Sequence, residues 1–217
     1  AEAGARDVFL RTIGGVEHHI YIQVADHVIK ARAEGDVERT RERDNKASAG
    51  GTPPALPFDR ELLDALLGRA VIDVLVVSSK HNIQYLLGGY RFFFFDQMDA
   101  IGVSRYLPIL IYRKGRPVDS VYVGNKLESY EEELGKFWMP EFVKAWGSQG
   151  AMASVVERLR TLHRENAVIG VERAFLPADA EELLRKELPS ARIVDATVAL
   201  ERLRAKKTPQ ELDWLRT

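Results

Sequence analysis

The chain has 217 residues, with 31 Lys and Arg against 32 Asp and Glu and 46% apolar residues; that length holds one large domain, or one domain with a tail. A formal net charge of −1 makes no electrostatic case for a nucleic-acid partner or an anionic membrane. With no cysteine in the chain, disulfides, thiol nucleophiles and iron–sulfur or zinc-ribbon sites are excluded.

Residues 1–57 differ from the rest and read as an N-terminal extension with a linker. Ile20, Ile22 and Val24 alternate as in a strand, a densely charged run of both signs follows, and 48–57 is rich in Ala, Ser, Gly and Pro. From Phe58 the pattern becomes regular. Leu62, Leu63, Leu66 and Leu67 share one helical face behind Asp59, a suitable cap. The run VIDVLVVSS is a short β-branched strand, and HNIQYLLGGY a loop or short helix that breaks at Gly88 and Gly89. YLPILIYRKGRPVDSVYVG reads as two strands around a Lys-Gly turn. Residues 128–136 are acidic and helical, and PEFVKAWGSQG is a loop-bounded piece containing Trp146.

Beyond it helices and strands alternate. Residues 152–166 form a helix with Val155, Val156, Leu159 and Leu162 inward and His163 solvated on it. AVIGVE is a buried strand. A helix opened by Pro177 and closed by Pro189 leads to the strand ARIVDAT, and VALERLRAKK is helical again. The alternation, with one hairpin, predicts an α/β layered domain: a mixed sheet of about five or six strands with helices on both faces. At the end, Thr208, Pro209 and Glu211 write a capping box. Too few residues follow for that helix to be stable alone, because nucleation is costly, so 206–217 reads as the start of a linker helix into a further domain.

Chemistry-bearing patterns are few. His18, His19 and His27 lie in the extension without a third ligand at metal-site spacing. His81 follows a strand end, a usual site location in α/β sheets and equally a place for a cap or loop hydrogen bond. There is no Walker pattern, no G-x-G-x-x-G and no G-x-S-x-G elbow. Glu131, Glu132 and Glu133 read as a solvated helix face. Asp96 and Asp99 have the spacing to bind a cation, but a loop interacting with Arg91 or Arg105 is the more ordinary reading. No carboxylate set with a histidine has the spacing of a catalytic metal centre. The stretch GGYRFFFFDQ is the most unusual: Tyr90, Phe92, Phe93, Phe94 and Phe95 crowd around Arg91. On extended backbone alternate rings face opposite sides. One set can pack inward while the other forms a subunit interface or pocket wall; a two-sided buried strand is the competing reading.

Two segments carry a resemblance. The first runs Ser79-x-x-Asn82-Ile83-x-Tyr85-Leu86-x-Gly88 after a strand; the second runs Gly170-Val171-Glu172, a Leu-Pro…Asp strand, then Arg204-x-x-Lys207-x-x-x-Glu211-Leu212. In order and spacing, from about Phe58 to Thr217, they resemble the N-terminal domain of the creatinase, prolidase and aminopeptidase P family of pita-bread metallohydrolases. The resemblance implies a ribonuclease H-like fold, with the domain at 58–205 and a catalytic domain in cis after the linker helix. That catalytic domain would carry two Asp, one His and two Glu holding a pair of divalent ions (Mn, Co or Zn); this chain would bind no metal and hydrolyse nothing alone. The absence of cysteine makes the cytoplasm the simpler compartment, and the resemblance further implies a homodimer in which this domain mediates oligomerisation and shapes the access of a peptide substrate to a metal-dependent Xaa-Pro hydrolase. Tyr90, Arg91, Phe93, Phe94, Phe95 and His81 are the substrate-access or interface candidates. A creatinase-like amidinohydrolase fits the same domain, as does a non-catalytic peptide-binding module of the same fold. A stand-alone domain with a small-molecule site near His81 and Arg91 is the third reading.

Overall fold

The computed structural model describes residues 56–92 and 106–216. The expectations for His18, His19, His27, the strand at 20–24, Phe93, Phe94, Phe95, Asp96 and Asp99 lie outside the described residues.

Helix α1, Arg60–Arg69, starts where the Asp59 carboxylate accepts the Leu62 amide at 2.9 Å, and it buries Leu63, Leu66 and Leu67. Strand β1, Val74–Val77, is fully buried. Helix α2, Lys80–Leu86, is capped by Ser79 and ends at Gly88 and Gly89, whose φ angles of 70° and 94° suit glycine. Strands β2, Ile109–Arg113, and β3, Val121–Asn125, form the expected antiparallel hairpin. Its connection holds a 3₁₀ turn, Pro117–Asp119, where Asp119 pairs with both Arg113 and Arg116. After a second 3₁₀ turn, Lys126–Glu128, comes the short helix α3, Ser129–Glu133.

Two boundaries differ from the sequence reading. The piece around residues 140–150 is not a loop: Glu141–Ala145 forms strand β4, parallel to β3. It is an edge strand, only partly buried, with Phe142 joining one core and Val143 and Ala145 the other. Its apolar alternation is therefore diluted by Glu141 and Lys144, and a turn-like Trp-Gly-Ser-Gln-Gly follows. Helix α4 then runs Gly147–Thr161, earlier at both ends than 152–166. Its first turn lacks apolar residues, and Ser148 is instead fixed by Asp179. His163 lies beyond the helix with φ 52°, where the chain turns towards the next strand.

Strand β5, Val168–Val171, helix α5, Ala178–Glu187, strand β6, Arg192–Asp195, and helix α6, Thr197–Ala205, follow as expected. Helix α7, Pro209–Arg216, does form. Its capping box is present: the Glu211 carboxylate accepts the Thr208 amide at 2.8 Å, and the Thr208 hydroxyl accepts the Glu211 amide at 3.2 Å.

The six strands lie in the order β4-β3-β2-β1-β5-β6, and only β2 runs against the others. The sheet is a mixed one with helices on both faces. The period-2 alternation of β1 divides the core. Leu75 and Val77 join Leu63, Leu67, Leu200 and Leu203 of α1 and α6 on one face. Val74 and Val76 join Met152, Val155, Leu159 and Leu184 of α4 and α5 on the other. Each such fully buried aliphatic side chain contributes about 1.5–3 kcal/mol. Among the described residues no helix is long and apolar enough to cross a membrane.

Gly170 lets the α1–β1 connection approach the sheet: a Cβ there would sit 2.8 Å from Ile72 Cδ1 and 3.0 Å from Ala196 Cβ. Gly170→Ala is expected to cost about 1–3 kcal/mol through overpacking, read as a lower urea midpoint. An unchanged midpoint would mean that the β5 face has room to spare.

Candidate functional site

Both buried carboxylates of the sheet region stand at the carboxyl ends of the strands, the edge where open α/β sheets place ligands. The first belongs to Glu172. Because β1 and β5 are parallel neighbours with Val76 opposite Val171, the chain leaving β1 passes beside Glu172, which is fully buried. One carboxylate oxygen accepts the Ser78 and Ser79 amides at 2.8 and 2.9 Å; the other accepts the Ser79 hydroxyl and the Asn82 side-chain amide, both at 2.6 Å. Four donors meet the need of an ionised carboxylate out of water. The Asn82 oxygen, facing away, accepts from the Arg204 guanidinium at 3.3 Å. The two motif segments thus meet in space through Glu172, Asn82 and Arg204. Lys207 donates to the Arg204 carbonyl and Glu211 closes the α7 capping box, so the charged residues of the second motif each have a structural partner.

The second carboxylate belongs to Glu128, also fully buried. It accepts from the hydroxyls of Tyr90 at 3.0 Å, Tyr106 at 2.5 Å and Tyr122 at 2.8 Å, and from the Asn125 amide at 2.6 Å. Burial, with Glu128 adding to it, pushes all three phenols well above the ordinary tyrosine range, so they remain donors. Burial also raises the Glu128 carboxyl above its usual value, and the hydrogen bonds it accepts pull it only part of the way back.

The sequence candidates fall into two places. His81 lies on the first turn of α2, not in a loop. Its Nε2 is 3.4 Å from the Ser79 hydroxyl and its ring stands edge-on to Phe175 at 5.1 Å. Burial first, then the Arg204 charge, lowers its pKa, which keeps the imidazole neutral at pH 7. Tyr90 is half-buried on Glu128 and edge-on to Phe137 at 5.1 Å. Arg91 is exposed and Phe92 is buried edge-on to Tyr106. Phe93, Phe94 and Phe95 lie outside the described residues. His81 and Tyr90 therefore belong to separate clusters.

Glu128 was missed as a key residue because its acidic neighbours suggest solvent. The available signal was Asn125-x-x-Glu128, a capping-box spacing that the structure forms. The signal for Glu172 was a lone acid closing an apolar strand.

The creatinase/prolidase N-terminal domain model matches residues 60–206, and the chain belongs to that family. Among solved structures, a proline dipeptidase from Streptococcus pneumoniae TIGR4 is 18% identical with a TM-score of 0.52, the match covering 69% of this chain and 99% of that one. A prolidase from Thermococcus sibiricus is 17% identical with a TM-score of 0.54, over 76% of this chain and 40% of that one. A dipeptidase from Pyrococcus horikoshii OT3 is 21% identical with a TM-score of 0.52, over 71% and 38%. At these identities the likeness is one of fold. No curated protein matches the chain.

Two measurements test these clusters. Glu172→Ala leaves the Ser78 and Ser79 amides and the Asn82 amide without their acceptor and is expected to cost on the order of 3 kcal/mol or more in denaturant titration; a loss of under about 1 kcal/mol would refute the pinning role. For Glu128, a carboxyl that holds its proton more tightly when folded stabilises the fold fully below its unfolded pKa, and this contribution is lost as pH rises through the folded pKa. Relative to Glu128→Gln, the natural protein should therefore lose stability as pH rises above the ordinary glutamate value of about 4.3. A difference in urea midpoint that does not change with pH would contradict the raised carboxyl.

Proposed function

We propose that this chain is the non-catalytic N-terminal domain of a metal-dependent, Xaa-Pro aminopeptidase- or prolidase-like hydrolase, mediating homodimerisation and shaping access of a peptide substrate. The observation that carries the reading is the family match over residues 60–206. Its partner in cis would be a catalytic domain, and this reading is supported by the Thermococcus sibiricus prolidase and the Pyrococcus horikoshii dipeptidase, of whose chains the match covers 40% and 38%. The metal pair, Mn, Co or Zn, would belong to that domain. Among the described residues no group of three or more His, Cys, Asp or Glu side chains could hold a metal ion, so they do not fit such a pair. The proposed compartment is the cytoplasm.

In this reading Tyr90, Arg91, Phe93, Phe94, Phe95 and His81 are the substrate-access or interface residues. An arginine pairs a carboxylate bidentately and an aromatic ring packs on proline or a methyl group. The dimer is further supported by Leu127, Tyr130, Leu134 and Trp146, each 51–65% exposed, around the paired ends of β3 and β4; large exposed apolar residues grouped in one region suit an interface.

The purified chain is expected to be dimeric by light scattering and to show no Xaa-Pro cleavage with Mn, Co or Zn supplied. The double variant Phe93→Ser, Phe94→Ser should be monomeric with an unchanged far-UV spectrum. Metal-dependent turnover by the natural chain would overturn the non-catalytic role, and a variant that still dimerises would remove the aromatic stretch from the interface.

A further inference from the structure

Between α2, the glycine turn after it and the α6–α7 corner lies a cavity of about 410 Å³, with Pro57 on its rim. That volume is within the range of small-molecule sites. Its chemistry converges. Tyr85 lines it, and the Tyr85 hydroxyl is shielded from solvent without a hydrogen-bond partner among the described residues. A buried hydroxyl left unpaired is costly, and such a group calls for a missing partner. Burial, together with the Glu211 and Asp59 charges, pushes its pKa up to about 12, so it stays a donor.

Arg204 lines the same cavity. Its guanidinium is held in place by the Asn82 oxygen, and Asn82 by Glu172. A guanidinium has five N–H donors; the Asn82 bond occupies one and fixes the direction of the fork, so the ordering of this side chain precedes any ligand. The remaining charges at the cavity are settled. Glu211 accepts the Thr208 amide within the capping box, Lys207 adds a second positive charge while donating to the Arg204 carbonyl, and His81 is neutral at pH 7. At Gly89, with φ 94°, a Cβ would meet nothing within 4 Å, so the backbone there is open.

We propose that this cavity is a binding site for a small carboxylate, held by the Arg204 guanidinium, with the Tyr85 hydroxyl as the second donor once the ligand uncovers it. His81 also lines this cavity, but the proposal rests on Tyr85 and Arg204 and does not depend on the peptidase reading.

The test uses the full 217-residue chain and N-acetylglycine as the probe, with N-acetylglycinamide as its uncharged counterpart. N-acetylglycine should bind saturably, with a Kd on the order of 1 mM by calorimetry, and shift amide resonances of residues 81–89 and 204–211 in NMR spectra. The amide should bind at least about tenfold more weakly. Tyr85→Phe, which removes one oxygen and no packing, should weaken binding about three- to tenfold, and Arg204→Gln should abolish it. Equal binding of acid and amide, shifts that map elsewhere, or unchanged affinity in Tyr85→Phe would each overturn the proposal, as would the absence of saturable binding.

Discussion

The structure depends most on one buried negative charge. Glu172 has no exposure to water, and its carboxylate is satisfied only because β1 and β5 are parallel neighbours that deliver the Ser78 and Ser79 amides to it. An ionised carboxylate without such partners would be too costly to keep inside the protein. Strand pairing, the start of α2 and the placement of Arg204 therefore stand or fall together. If the register of β5 slipped by one residue, the carboxylate would turn to the other face of the sheet, and all four of its donors would lose their acceptor.

A second buried acid, Glu128, repeats the device at the end of β3 with a different set of donors, three phenols and one amide. The two differ in what they organise. Glu172 fixes a helix start and, through Asn82, a cation facing a cavity. Glu128 draws together Tyr90, Tyr106 and Tyr122, which come from three different stretches of chain. Among the described strands β2 alone is reversed, and it lies between β1 and β3 and so separates the two clusters along the strand ends. The fold thereby presents two chemically distinct regions at the carboxyl-end edge of its sheet.

Much of this fold is legible in the sequence. Asp59 and the leucine stripe of α1, the β-branched run of β1, the prolines bounding α5 and the Thr208 box all lie where local rules place them, because burial and capping leave strong periodic marks. Strand β4 was not legible, since an edge strand needs no continuous apolar face and Glu141 and Lys144 mask the alternation. The early start of α4 was hidden by a glycine-rich first turn whose Ser148 finds its partner, Asp179, 31 residues later. The site was less legible than the fold. His81 and Tyr90 stood out by residue type, whereas Glu172, Asn82 and Glu128 matter through distant contacts that no local window contains. The resemblance had already brought Asn82, Glu172 and Arg204 into view as motif letters, and the geometry gives those letters their physical meaning.

The Glu172 contacts also impose an order of assembly. Ser79 and Glu172 are separated by 93 positions, and β1 to β4 are all encoded before β5 reaches its place. On a ribosome, the turn after β1 emerges long before its acceptor does. In that interval the Ser78 and Ser79 amides remain hydrated, and the cap of α2 lacks its buried anchor. The nascent chain can close its hairpin early, but it can lock the β1–α2 corner only after Glu172, 93 positions beyond Ser79, has been made.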